Sequence, residues 1–536
     1  MTIDLADHGL ISPAATPVDA GGPGSIAAIL DGPRAEQPDA TALVGRHGRY
    51  TFAELDAVAS QAANALRALG VEPGDRVAAT LPNDTDIVVA FLGAMRLGAV
   101  WLGINRALAG PEKTYMLSDA EVGVVLADPD MAAQLRPLSS DVPTLRNVVV
   151  VDPAASSDPW RDALGTAPTD RPEVLVDPLA PAAIAYTSGT TGFPKGAVHT
   201  QHNLLLPGTV SARRGLARPG AVLGVALPLT ILNLMVLGPL VAYQTGAGVV
   251  AMDRLDGVGL AEWIQAERIT TFSAVPAMVH DLLTHPAVTD DMLESLDGIG
   301  VGGADMPDAF RRLYHNRFGA HVGTGYGLTE APTAVTVEDV TGRAPDDLTV
   351  SNTCGRALPQ VEIHILDDDD QPVPVGEAGE VCVGPATSGD FADVYRPMLG
   401  YWNRPDASAE ALRGGLLHTG DVGRLDAEGN LFILDRKHDL IIRGGANIYP
   451  AEVERVLHDL EGVAACAVIG VDDERLGERV VAFVDQGPDE TLSEAEVRDH
   501  CAGRLARYKV PDEVRFVDGF ARTPMGKIIK RVLRED

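Results

Sequence analysis

Apolar positions along the chain change spacing repeatedly, and each change marks an element. From Phe52 to Leu69, the residues Leu55, Val58, Ala62, Ala63, Leu66 and Leu69 recur at helical intervals, which predicts a helix with one buried face. Gly74 to Leu81 reads as a turn and then a strand, and Ile87 to Leu97 as a helix ended near Gly98. Val122 to Ala127 and Val148 to Val151 are short apolar runs that predict buried strands, and Ala182 to Ala185 reads as the end of another. The same style continues with strands at Val222 to Leu227, Val249 to Ala251 and Thr271 to Ala274, and a helix at Leu260 to Arg268. Strands alternating with helices imply parallel sheet with crossover helices.

After Asn352 the pattern changes. Val361 to Leu366, Gly379 to Gly384 and Gly429 to Leu434 are short, β-rich and separated by Asp, Gly and Pro, as in a small antiparallel subdomain. From Leu440 a compact module follows, with helices at Ala451 to His458 and Glu494 to Leu505, strands at Ala464 to Val471 and Arg479 to Val484, and a terminal strand region. The expected fold class is α/β: a large N-terminal domain of parallel-rich αβ layers plus a small β-rich subdomain, and a small C-terminal α+β domain. Expected boundaries are 1–434 and 440–536, joined at 435–439.

Composition narrows the function. A chain of 536 residues is too long for one core, and 46% hydrophobic residues can fill more than one. The formal charge of −32 argues against a nucleic-acid partner, whose phosphates demand a cationic footprint. The four cysteines, Cys354, Cys382, Cys466 and Cys501, form no C-x-x-C pair, so free thiols in a reducing compartment are expected. The N-terminal residues lack a basic start followed by an apolar run, so a cytoplasmic location is expected. Residues 219–252 carry no charge over a length that could span a bilayer. Pro228, Asn233, Pro239, Gln244 and several glycines interrupt the run, which predicts a strand, a turn and a core helix instead of a transmembrane segment. The acidic run Asp367 to Asp370 lacks calcium-loop spacing and reads as a solvated turn.

The chemistry concentrates in a few short strings. Tyr186-Thr187-Ser188-Gly189-Thr190-Thr191-Gly192-Phe193-Pro194-Lys195-Gly196 packs hydroxyls, glycines and one lysine into eleven residues. A polyphosphate calls for that set: many donors, little bulk and a cation. Gly196 follows the lysine where a P-loop has Ser or Thr. Gly302-Gly303-Ala304 follows a strand end. Gly323-Thr324-Gly325-Tyr326-Gly327-Leu328-Thr329-Glu330 gathers an aromatic face to stack on a purine, a hydroxyl for phosphate and a carboxylate that suits magnesium. Asp421 ends His418-Thr419-Gly420-Asp421, and a carboxylate there can accept both hydroxyls of a ribose. Arg436 is a second ribose or phosphate candidate.

Taken in order, these strings resemble the signature motifs of the adenylate-forming superfamily of acyl-CoA synthetases, peptide synthetase adenylation domains and beetle luciferases, and are closest to the acyl-CoA synthetases. The resemblance runs from about residue 40 nearly to the end. There Arg522-Thr523-Pro524-Met525-Gly526-Lys527 resembles the superfamily's catalytic-lysine motif. It implies ATP-dependent activation of a carboxylic acid to acyl-AMP, then transfer to CoA on rotation of a mobile C-terminal domain. An alternative is adenylation alone, with transfer to a carrier protein or a separate partner. Lys527, Thr190 and Glu330 are the implied catalytic residues. The implied nucleotide site is Thr187 to Gly192, Lys195, Gly303, Ala304, Tyr326, Gly327, Thr329, Asp421, Arg436 and Lys527. Glu330 and Thr187 are implied to hold Mg2+. Arg443, Gly444 and Gly445 are expected to pass the CoA arm. The implied pivot is His438, where the superfamily commonly has Asp or Lys. The acyl pocket is expected at Thr230, Ile231, Asn233, Gly302 and Gly325. Many acyl-CoA synthetases place an aromatic and a histidine where Thr230 and Ile231 stand, so a bulky apolar acid is expected, the alternative being that neighbouring side chains refill the space and the substrate is a medium-chain fatty acid.

Overall fold

The computed structural model describes residues 3–11, 21–187, 194–215, 219–301, 308–319, 321–331, 333–340, 353–437, 439–443, 446–473, 476–487, 491–522 and 528–534. The chain divides into two compact units. The first comprises residues 1–351, 355–362 and 383–418; the second comprises 352–354, 363–382 and 419–536.

The first unit contains two large sheets. One has seven strands in the order Gly400–Tyr401, Lys195–Thr200, Pro181–Thr187, Val100–Gly103, Arg76–Thr80, Val124–Ala127 and Asn147–Val150. Its five strands from Pro181–Thr187 onward are parallel, whereas Lys195–Thr200 and Gly400–Tyr401 add antiparallel. The other has six strands in the order Gly298–Val301, Thr271–Ala274, Val222–Val225, Gly248–Ala251, Thr41–Gly45 and Gly48–Thr51, parallel except for the last pair. This is the expected parallel sheet with crossovers.

The helices follow the apolar spacing. Phe52–Ala68 starts at a capping box, in which Thr51 and Glu54 satisfy each other's free backbone N–H groups. Thr85–Arg96 is buried on every side, which is why its sequence shows an apolar run more than a stripe. Its closing residue, Arg96, is 3% exposed and pairs with Asp56, so the buried charge is matched. The uncharged stretch forms the Val222–Val225 strand and then three short helical pieces, Leu232–Met235, Val236–Leu240 and Val241–Thr245. Pro239 sits where the middle piece widens to a π-turn, and Gly246 ends the last piece at φ +69°. Among the described residues no helix is long and apolar enough to cross a membrane.

The second unit holds a sheet of Ala446–Ile448, Ile441–Arg443, Gly477–Gln486 and Val463–Asp473, with Glu513–Val517 parallel to Gly477–Gln486. Pro450–His458 and Glu494–Ala502 bury Val453, Leu457, Val497 and Cys501 against it. The second helix ends three residues before the expected Leu505, because Gly503 follows and the chain turns at Arg507–Lys509. Leu417–Leu425 pairs antiparallel with Leu431–Arg436 and sets Asp421 opposite Arg436. That second strand begins two residues later than expected, since Asp426 to Asn430 closes a turn with Gly429 at φ +82°.

Candidate functional site

The phosphate-loop string connects two antiparallel strands. Tyr186 lies opposite Gly196 and Thr187 opposite Lys195. A side chain at 196 would come within 2.6 Å of Ile184 Cγ2, so only glycine fits this register. Ser188, Gly189, Thr190, Thr191 and Gly192 lie outside the described residues, but both ends of their loop are fixed. Buttressing comes from a polar cluster. The Tyr186 hydroxyl donates to Asp119 Oδ2 at 2.6 Å, Arg404 Nη2 donates to Asp119 Oδ1 at 3.2 Å, and Tyr115 donates to the Pro194 carbonyl at 3.1 Å. Burial and the Asp119 carboxylate push the Tyr186 phenol far above its ordinary range, so it stays a donor.

The Tyr326–Glu330 string is anchored at both ends. Upstream, the buried Glu338 carboxylate accepts from the Thr324 N–H at 3.1 Å and hydroxyl at 3.2 Å, with Arg311 3.4 Å away. A Cβ at Gly325 would stand 2.8 Å from the Thr336 carbonyl, so the chain needs glycine there. The Tyr326 N–H donates to Thr336 Oγ1 at 3.1 Å, and Gly327–Leu328 pairs with Thr333–Ala334. Downstream, His199 Nε2 donates to the Thr329 carbonyl at 2.9 Å, while Asn203 Nδ2 donates to His199 Nδ1 at 3.2 Å. These partners fix one neutral tautomer. The Glu330 side chain accepts from the Tyr401 hydroxyl at 2.8 Å, and the Lys195 ammonium lies 5.1 Å over the Tyr401 ring. Two expected residues far apart in sequence, Lys195 and Glu330, thus meet through a third that sequence reading did not select. Neither Tyr401 nor His199 stands in an element or a candidate site expected from the sequence.

The Glu330 carboxylate can hold a cation. Its Oε1 is taken by Tyr401, and among the described residues no partner of Oε2 is found. A carboxylate with an open oxygen suits a hard divalent ion. Thr187, the other expected metal residue, points its hydroxyl toward the Lys195 carbonyl at 3.4 Å.

The expected acyl segment is pinned by Asn83. Its Nδ2 lies 3.1, 3.2 and 2.9 Å from the carbonyls of Val225, Ala226 and Leu227, and its Oδ1 accepts from the Leu229 N–H at 2.8 Å. Thr230 follows at once, 6% exposed, with its carbonyl packed so closely on Gly103 that a Cβ there would sit 2.0 Å away. The Thr230 Oγ1 and Asn233 Oδ1 atoms are buried with no hydrogen-bond partner among the described residues. Ile231 leads into the Leu232–Met235 turn. Gly302, Gly303 and Ala304 lie outside the described residues. A separate cavity of about 590 Å3 is lined by Arg213, Arg214, Asp339, Arg356 and Asp390 among others, and by none of the motif residues.

In the second unit, Arg436 Nε lies 2.6 Å from Asp421 Oδ1, so the two ribose candidates face each other across the strand pair. The adjoining Asp435 is buried and accepts from the Arg436 N–H at 2.7 Å and the Ala451 N–H at 2.8 Å, which ties it to the start of the Pro450–His458 helix. Burial raises its pKa, opposed by Lys530. Arg443, an expected CoA contact, donates to the Tyr508 carbonyl at 2.9 Å and pairs with Asp512. His438, Gly444, Gly445 and Lys527 lie outside the described residues.

Residues 32–391 match the AMP-binding enzyme family, and residues 452–527 match the AMP-binding enzyme C-terminal domain. The chain belongs to the AMP-binding enzymes. This AMP-binding enzyme is 34% identical to the long-chain-fatty-acid–CoA ligase FadD13 of Mycobacterium tuberculosis over 494 residues, covering 91% of this chain and 93% of that one. It is 37% identical over 530 residues to a methyl-dioxo-octahydroindenyl-propanoyl:CoA ligase of the same species, covering 95% and 98%. Among solved structures it resembles ATP-bound MatB from Rhodopseudomonas palustris, with a TM-score of 0.85, 30% identity, and 95% and 98% of the two chains covered.

Proposed function

We propose that this AMP-binding enzyme is an AMP-forming acid–thiol ligase acting on a bulky, largely apolar carboxylic acid. The acid's carboxylate oxygen attacks the α-phosphorus of ATP in line and pyrophosphate leaves. The CoA thiol then attacks the acyl carbonyl of the adenylate and AMP leaves. The observation that carries this reading is the meeting of Lys195 and Glu330 on Tyr401 beside the phosphate loop.

The residues take these parts. Thr187, Ser188, Gly189, Thr190, Thr191, Gly192 and Lys195 hold the polyphosphate. Gly303, Ala304, Tyr326 and Gly327 hold the adenine, Thr329 a phosphate, and Asp421 with Arg436 the ribose. Lys527 stabilises charge developing on the α-phosphate oxygens. Magnesium bound by Glu330, with the Thr187 hydroxyl, would supply charge neutralisation at the polyphosphate. Residues 440–536 pivot at 435–439, about His438, and Arg443, Gly444 and Gly445 admit the CoA arm. Thr230, Ile231, Asn233, Gly302 and Gly325 wall the acyl pocket.

Two small side chains, Thr230 and Ile231, stand where a bulkier gate is common, which supports the acid's size. A relative at 37% identity is named for a fused-ring propanoyl product, whereas one at 34% is named for long-chain fatty acids. ATP–pyrophosphate exchange over a panel of aromatic, polycyclic, long, medium and short acids tests the reading, with free CoA and carrier protein compared as acceptors. Fused-ring or aromatic acids should head the panel and free CoA should accept. Acetate or propionate as the best acid overturns the substrate class. Transfer to carrier protein alone overturns the CoA step.

A further inference from the structure

We propose that Tyr401 is a positioning residue that sets the Glu330 carboxylate for its cation and the Lys195 ammonium for the polyphosphate. The proposal rests on the reading of Glu330 as the metal ligand. Tyr401 lies on the two-residue strand Gly400–Tyr401, opposite Ala197 of the strand that begins with Lys195. The chain reaches it through Gly400 at φ +130°, where a Cβ would come within 2.7 Å of Ser408 Oγ. Ser408 Oγ accepts from the Tyr401 N–H at 2.8 Å and donates to the Arg404 carbonyl at 2.8 Å, so the backbone is held from the side as well. The ring is therefore placed by glycine conformation, strand pairing and one buried serine.

From that place it acts in two directions. Its hydroxyl donates to Glu330 Oε1, and its face receives the Lys195 ammonium. The Glu330 backbone is fixed by the same strand neighbourhood, since its carbonyl accepts from the Met398 N–H at 3.1 Å and the preceding carbonyl accepts from His199. Without the phenol, the carboxylate would have a fixed backbone but a free side chain. With it, one oxygen is spent on orientation and the other is turned to ligand use. Hydrogen bonds that orient a ligating carboxylate typically govern metal affinity or activity by about 10–100-fold. The ring also holds the lysine without neutralising it, which a carboxylate partner would do.

Two variants separate the two roles. Tyr401→Phe keeps the ring face and removes only the hydroxyl; Tyr401→Leu removes both. Each is measured by thermal melting, by calorimetric binding of ATP in EDTA, and by magnesium titration of ATP binding and of pyrophosphate exchange. Tyr401→Phe should bind ATP in EDTA within about twofold of the parent, while its half-maximal magnesium rises about tenfold. Tyr401→Leu should show the same magnesium shift and also lose about fivefold in metal-free ATP affinity. An unchanged magnesium titration in Tyr401→Phe overturns the proposal. So does an equal loss of ATP binding with and without metal, which marks a general packing role. Glu330→Gln serves as the reference. If it shifts the magnesium titration and Tyr401→Phe does not, only the Tyr401 role falls. If Glu330→Gln leaves the titration unchanged, the metal reading of Glu330 falls and the positioning role falls with it.

Discussion

His199 is fully buried between the Thr329 carbonyl and Asn203, and desolvation pushes its pKa down to about 4 against the raising effect of Thr329. The unfolded chain protonates near 6.5 and the folded one near 4, so between those values the unfolded state binds more protons. Stability therefore falls as pH drops through this window, by about 2 kcal/mol between pH 7 and pH 5 from this residue alone. Asp86 works in the opposite sense, because burial pushes its pKa up to about 6 and its contribution is lost as pH rises toward that value. His199→Gln keeps a donor for Thr329 and removes the titration. Its urea stability should lose less on going from pH 7 to pH 5 than that of the parent; an identical change refutes the assignment. Thr230 makes a second residue-scale test. It is buried under Gly103 and is proposed to wall the acyl pocket, and apolar pockets discriminate by shape at about 1–3 kcal/mol per methylene. Thr230→Phe should lower kcat/KM for a fused-ring acid about tenfold more than for a short linear one. Equal losses on both acids would remove Thr230 from the pocket wall.

At the scale of elements, the phosphate loop joins two antiparallel strands, and the next helix, Gln201–Arg213, begins only after the second. That helix is therefore separated from the loop by a strand, whereas in a P-loop the helix opens directly from the loop. In the proposed role the attraction would fall to Lys195 and the loop's hydroxyl and backbone donors, in keeping with their density in the sequence. The 435–439 segment is the other decisive element. Asp435 closes the strand Leu431–Arg436 and ties it to Ala451, while Asp439 faces Arg534 at 3.4 Å. The proposed rotation of residues 440–536 would change torsions at 435–439 and break the Asp435–Ala451 tie, which crosses that segment. Proline at 438 fixes φ and removes a donor. His438→Pro should slow thioester formation from supplied acyl-adenylate at least tenfold more than it slows pyrophosphate exchange. A normal thioester rate would rule out a pivot there.

For the whole molecule, the residues proposed for the nucleotide fall in both units, Lys195, Tyr326 and Glu330 in the large one and Asp421 and Arg436 in the small one. Lys527→Ala should cut adenylation by about 10²–10³, the usual cost of one preorganised charge-stabilising group, and leave thioester formation from supplied acyl-adenylate largely intact. Half-reaction assays decide; equal loss in both would show that Lys527 does not act on the first step alone.

Local spacing by itself determined most of the elements. The helix Phe52–Ala68, the strands Thr271–Ala274 and Val361–Leu366 and the helix Pro450–His458 fall where apolar period and turn residues put them, because burial of one face is a local demand. The broken apolar stretch 219–252 was legible for the same reason, since proline and glycine interrupt helices wherever they stand. The phosphate-loop, Tyr326–Glu330 and Asp421 strings stood out as candidate chemistry because unusual donors and glycines crowd into a few residues. The Lys195–Thr200 strand was not, because it is short and buries a histidine. Nor were Tyr401, His199 and Asn83, whose partners lie far away in sequence at Glu330, Thr329 and Leu229. A hydrogen bond across such a separation leaves no period and no local motif. Only the sheet order, which sets Gly400–Tyr401 and Lys195–Thr200 side by side, decided which carboxylate Tyr401 would hold.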